Sequence, residues 1–113
     1  MTRFKLADDF VVEVYRITGG FPAEEWYGLQ AQLRRAVLSP AVNVVEGSAR
    51  RTTRDYATFI NVATGSAAEC RYLVDVSIRL GFLSAKHHQD VVKRFDVLVA
   101  KLKALGNSLE NQP

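Results

Sequence analysis

With 113 residues, the chain has room for one domain with a core of moderate size, and not for two. It is 48% hydrophobic and 24% charged, an ordinary globular balance, and no apolar run approaches the roughly 18 residues of a membrane span. A formal charge of +3 and an isoelectric point near 9.2 allow contact with nucleic acid without requiring it, and Cys70, the single cysteine, excludes an internal disulfide.

The opening residues, M-T-R-F-K-L-A-D-D-F, lead into no sustained apolar segment, so no signal peptide is expected and the cytoplasm is the expected compartment. Asp8 and Asp9 suit the first turn of a helix, where carboxylates offset the positive end of the dipole. Ala7, Phe10, Val11, Val14 and Ile17 trace one apolar face up to Gly19-Gly20, which predicts a first helix over about 5–18.

Phe21-Pro22 leads into a second helix, predicted over 23–47, with Glu24 and Glu25 in its first turn. Its apolar stripe of Leu29, Leu33, Ala36, Val37, Pro40 and Val44 runs straight through the proline. Proline removes one hydrogen bond and crowds the carbonyl of Ala36, so a kink at Ser39-Pro40 is expected rather than an end. Gly28 costs about 1 kcal/mol relative to alanine in such a helix, which predicts a close approach by a neighbour, and Gly47 begins the break that follows.

Thr52 or Thr53 can cap a third helix over 53–80, with Asp55 in its first turn. Tyr56, Phe59, Ile60, Ala63, Ala67, Cys70 and Val74 form one stripe, and Val62, Ser66, Leu73, Val76 and Leu80 form a second. A helix in a small monomeric bundle needs one apolar face; two predict either a central position or burial of one stripe between subunits. The second helix repeats the pattern with Ala31, Leu38, Val42, Val45 and Ala49. Gly81 suits a left-handed helix ending, and Ser84 caps a fourth helix over 84–105. Its face is His88, Val91, Val92, Phe95, Leu98, Val99, Leu102 and Leu105; Gly106-Asn107 ends it and 108–113 form a polar, frayed tail. Short connections favour antiparallel neighbours, so the whole chain, 1–113, reads as an all-α, antiparallel up-down-up-down four-helix bundle.

The segment 30–54 carries Arg34, Arg35, Arg50, Arg51 and Arg54 against Glu46 alone. Arg34 and Arg35 diverge by about 100° on a helix, so at most one can face the core. Arg50, Arg51 and Arg54 sit at or near a loop, where guanidinium forks can converge on phosphate oxygens. The competing reading is a solvated cluster or intrachain pairs such as Glu46 with Arg50. Asn43 offers donors to backbone groups disturbed by the kink, and Glu46 can accept from an arginine of its own or a neighbouring subunit.

The runs F-P-x-E-E-x-Y-G-L from Phe21, L-R-R-A from Leu33, S-P-A-x-N-x-x-E-G from Ser39 and G-S-x-x-E from Gly65 occur in this order. They resemble the four-helix-bundle family of proteins encoded in intervening sequences of 23S rRNA genes, over most of the chain from Phe4 to Leu105. The resemblance implies a small bundle that assembles into a ring, typically a pentamer. It also implies kinship with accessory proteins of diversity-generating retroelements, which bind nucleic acid and a reverse transcriptase. Gly28, Pro40, Asn43, Glu46, Gly47, Gly65, Ser66 and Glu69 fall on family-motif positions, for which the resemblance names no reaction. A ring of five would sum to a charge of about +15, a field that attracts polyanions.

Enzyme chemistry finds little footing. No glutamate is followed by histidine at the spacing of a di-iron bundle, the adjacent His87 and His88 diverge, and no phosphate-binding glycine loop is present. Cys70 lies on an apolar stripe and reads as core, and Glu69 reads as a partner for an arginine. Trp26, Tyr27, Tyr56, Phe59 and Tyr72 can stack on bases but mostly fit helix faces, with Trp26 the best surface exception. The expectation is a non-enzymatic homo-oligomer without metal or cofactor that binds RNA electrostatically. The alternative is a scaffold whose ring docks an unknown protein partner, with the arginines in subunit contacts.

Overall fold

The computed structural model describes residues 5–112; the expected basic start and Phe4, within residues 1–4, and Pro113 of the expected tail lie outside the described residues. The chain is all-α, with four helices: α1 at Lys5–Thr18, α2 at Leu29–Ser48, α3 at Thr53–Arg79 and α4 at Ala85–Glu110. The molecule measures 49 × 24 × 18 Å, as expected when its longest helix alone rises about 40 Å. α3 packs along both α2 and α4, and α1 lies against α2.

The core follows the periodicities. Phe10 and Val14 of α1, Leu33, Val37 and Val44 of α2, Ile60, Ala63, Ala67 and Val74 of α3, and Phe95, Leu98 and Leu102 of α4 are all buried. Phe10 stacks on Phe95 with ring centroids 3.9 Å apart. Beside that stack, Arg94 of α4 donates to both carboxylate oxygens of Glu13 of α1, at 2.6 and 2.8 Å, and lies over the Phe10 ring. Contacts across α2 and α3 fall at Gln32 with Glu69, Ser39 with Ser66, and Gly47 with Tyr56 and Phe59.

Helix ends use the caps the sequence offers. The Thr52 hydroxyl, not that of Thr53, accepts from the Asp55 N–H at 3.1 Å, and Ser84 accepts from the His87 N–H at 3.3 Å. Gly81 has φ +85°, and the N–H groups of Phe82 and Leu83 both return to the Ser77 carbonyl.

Two boundaries depart from the sequence reading. α2 begins at Leu29 rather than residue 23, because Ala23–Glu25 form a single 3-10 turn. There Phe21 is buried against Phe82, and the Trp26 indole N–H donates to the Phe21 carbonyl at 3.2 Å, which wraps the segment across the bundle end. Gly28 is the residue before α2, and a Cβ there would meet only the Glu25 carboxylate and carbonyl, so no neighbouring helix explains it. α4 does not stop at Gly106 but runs to Glu110. Gly106 packs beside Ile60 and Asn61, Leu109 is buried, and Asn61 donates to Glu110 at 3.4 Å, so most of the expected frayed tail is helix laid on α3. In α3, Leu73 of the second stripe is core, and the helix packs on both α2 and α4, as a central position requires.

Gly47 is also inside α2, and its role is contact rather than chain reversal. A Cβ would lie 2.8 Å from Tyr56 Cδ1 and 2.9 Å from the Cβ of Phe59, the second of which no rotamer can move. Gly47→Ala is therefore expected to cost about 1–3 kcal/mol in denaturant titrations, by forcing α2 and α3 apart. An unchanged midpoint would show that the helices part freely here.

Candidate nucleic-acid interface

The five arginines of the basic segment separate into three settings. Arg34 is half-buried and occupied: Nε donates to the Thr18 hydroxyl at 2.9 Å, Nη2 donates to the Tyr15 carbonyl at 3.0 Å, and the guanidinium lies over the Tyr15 ring. Gln30 adds a 2.8 Å bond to the Thr18 carbonyl. Thr18 itself is fully buried and donates to the Val14 carbonyl at 2.7 Å. The orphan carbonyls at the end of α1 are thus satisfied by side chains of α2, and a cation meets the negative end of the α1 dipole. Sequence reasoning placed Arg34 among the phosphate-binding candidates and missed Gln30 and Thr18, because a cap supplied from another helix leaves no mark in local spacing.

Arg35 is exposed on the outer side of α2, about 22 Å of helical rise from Arg50, so it does not join the others. Arg50, Arg51 and Arg54 fall in or beside the turn between α2 and α3, and all three are exposed. Arg50 Nε donates to the backbone carbonyl of Glu46 at 3.3 Å and its guanidinium lies over the Phe59 ring, so the Glu46–Arg50 carboxylate pair of the competing reading is not formed. Arg51 and Arg54 make no side-chain hydrogen bond or ion pair among the described residues. The first turn of α3 contributes its positive dipole end at the same place. Arg54 also rims an open recess of about 410 Å³ lined by Thr53, Thr58, Asn61, Glu110 and Gln112.

Of the motif residues, Gly47, Ser66 and Glu69 make contacts across the α2–α3 seam. Pro40 is buried inside α2, which continues through it. Asn43 Nδ2 donates to the Ser39 carbonyl at 2.8 Å and to its hydroxyl at 3.0 Å, and Ser66 donates to the Ser39 hydroxyl at 2.7 Å. The carbonyl that Asn43 serves is thus that of Ser39, next to the proline, and not the Ala36 carbonyl that the proline leaves without a donor. Glu46 and Glu69 are exposed, and neither is paired with a cation among the described residues; Glu69 accepts only a long 3.5 Å bond from Gln32. Gly65 faces open space, where a Cβ would meet nothing within 4 Å.

Other candidates take simpler roles. Cys70 is wholly buried, and burial first, with the nearby Glu69 charge second, pushes its pKa up to about 12. His88 Nδ1 sits 2.8 Å from the Ser84 carbonyl, and the two histidine rings stand edge-on with centroids 6.3 Å apart. Trp26 is half exposed and Tyr27 almost completely so.

This is a four-helix protein with an arginine-bearing turn at one end and a polar seam that carries the motif runs, and no described helix is long and apolar enough to cross a membrane. Residues 1–104 match the family described as 23S rRNA-intervening sequence protein, and the chain belongs to that family. No curated protein matches it.

Two outcomes follow, for Arg34 and for the buried Cys70. Arg34→Ala should lower stability by about 1–2 kcal/mol in chemical denaturation, since it leaves the Tyr15 carbonyl at the end of α1 without its donor. Because folding raises the Cys70 pKa, its contribution to stability is complete below the unfolded value and is lost as pH climbs from about 9 toward about 12. The stability of the wild type, measured by denaturation over that range, should therefore fall more steeply than that of Cys70→Ala, and the native thiol should resist aromatic disulfide reagents.

Proposed function

We propose that the protein is a cytoplasmic, non-enzymatic homo-oligomer, a pentameric ring in the form the family resemblance implies, that binds RNA through the arginines of the α2–α3 turn. The observation that carries this reading is the exposure of Arg50, Arg51 and Arg54 within one turn, with no carboxylate partner among the described residues. Within each subunit the helices run antiparallel, up-down-up-down, and α2 bends at Pro40. The cross-helix contacts support that course, since partners of Gln32, Ser39 and Gly47 fall at successively lower numbers in α3.

Unpaired guanidinium groups neutralise backbone phosphates and release counterions, an interaction that carries charge and geometry but little base identity. Repetition around a ring multiplies the field. The second reading, a scaffold that docks a partner protein, is favoured by Tyr27, which is 95% exposed beside half-exposed Trp26 at the other turn. Aromatic side chains of that kind anchor protein interfaces.

Fluorescence anisotropy with a generic structured RNA over a salt series tests the choice on protein of known solution mass. RNA binding predicts a steep linear fall of log affinity with log salt. Substituting Arg50, Arg51 and Arg54 by alanine should flatten that slope by roughly 0.7–0.9 for each phosphate that is no longer neutralised. Absence of binding at low salt by an intact assembly would remove the RNA reading and leave the scaffold.

A further inference from the structure

The recess beside the α2–α3 turn differs in chemistry from the turn itself. Its volume is about 410 Å³, within the roughly 300–1,000 Å³ of small-molecule sites. Ala57 of α3 and Leu109 of α4, both buried, give it an apolar base. Its walls are polar and exposed, with Arg54, Thr58 and Asn61 on one side and Glu110 and Gln112 on the other.

Two opposite charges line this recess and do not pair with each other. Glu110 Oε1 accepts from Asn61 Nδ2 at 3.4 Å, and Asn61 Oδ1 lies so near Gly106 that a Cβ there would stand 3.4 Å from it. Asn61 thus holds one carboxylate oxygen in place. Among the described residues the other oxygen, Oε2, has no donor and Arg54 has no anion.

A ligand that satisfies this recess carries negative charge for Arg54, a hydrogen-bond donor for Glu110 and a flat or apolar part for Ala57 and Leu109. A lone phosphate meets the first condition and is repelled by the carboxylate. A nucleotide with an amino group on its base meets all three, and carboxylates accept from the N4 amino group of cytosine. Uracil puts a carbonyl oxygen where cytosine has that group, and the carboxylate repels it. Arg50 and Arg51, in the same turn, offer more cations than one nucleotide needs, which favours a strand with flanking phosphates.

We infer that the recess receives one unpaired nucleotide of an RNA strand, its phosphate on Arg54 and an amino-bearing base, as in cytosine, donating to Glu110. This rests on the RNA reading above and adds base selection to a surface whose arginines read only phosphate. The amino group used here is the one that base pairing occupies, so the strand is single at this position.

Fluorescence anisotropy at low salt with labelled oligocytidine and oligouridine of equal length tests this, since the two differ in base and not in charge. The wild type should bind oligocytidine about tenfold more tightly. Glu110→Ala, with helix content checked by circular dichroism, should abolish that ratio. A carboxylate that merely repels RNA would give the opposite pattern, both oligomers tightening equally at an unchanged ratio, and this would overturn the assignment. Cytidine monophosphate at the same nucleotide concentration should leave oligocytidine bound; displacement would remove a strand as the occupant. Equal wild-type affinities with a steep salt dependence would sink the recess and leave the RNA reading standing, whereas no binding of either oligomer would sink both.

Discussion

The structure depends on how closely α3 can be approached from two sides. Its buried face is lined by Ala57, Ala63, Ala67 and Cys70, and α2 comes near enough at Gly47 that no Cβ fits there. Small side chains bring helix backbones together and convert a narrow molecule into a dense core, where a single added methyl group is felt. α2 and α4 can then both lie along α3, and the larger residues Phe10, Leu33, Phe95 and Leu98 fill the space between helices.

Across the α1–α4 contact the Arg94 guanidinium is held by the carboxylates of Glu13 and Asp90 and kept more firmly protonated chiefly by its hydrogen bond to Glu13. Along α2 the only strongly engaged cation among the described residues is Arg34, and its partners are a hydroxyl, a carbonyl and a ring face. Among the described residues no ion pair involves α2, whose carboxylate contacts are the Leu29 N–H with Glu25 and Gln32 with Glu69. The exposed Leu38, Val42 and Val45 add an apolar strip to that helix.

The helices, their faces and most caps were legible in the sequence because each is a local signal: the stripe of α4, the Ser84 cap, the left-handed Gly81. What failed was set by contacts distant in sequence. Gly106 reads as a stop signal, yet packing against Ile60 and Asn61 carries the helix past it; Pro22 reads as a start, yet the Phe21–Phe82 contact holds the chain in a turn. The arginine cluster was legible as composition but not as geometry. Adjacency alone makes Arg34 and Arg35 diverge, and only the position of α1 decides that Arg34 is the occupied one.

The attachment of α1 has its own consequence. This is the shortest of the four helices, fastened to α4 by the Phe10–Phe95 stack and the Arg94–Glu13 bond and to α2 by the Arg34 and Gln30 caps. Cooperative units with few fastenings open at lower free energy than the whole. Release of α1 would leave the α2–α3–α4 layer intact and bare the Phe95 ring along with Leu33. Slow amide exchange should accordingly concentrate in α3, with α1 the first segment to take up deuterium, and the chain's resistance to proteolysis is set by that one short helix.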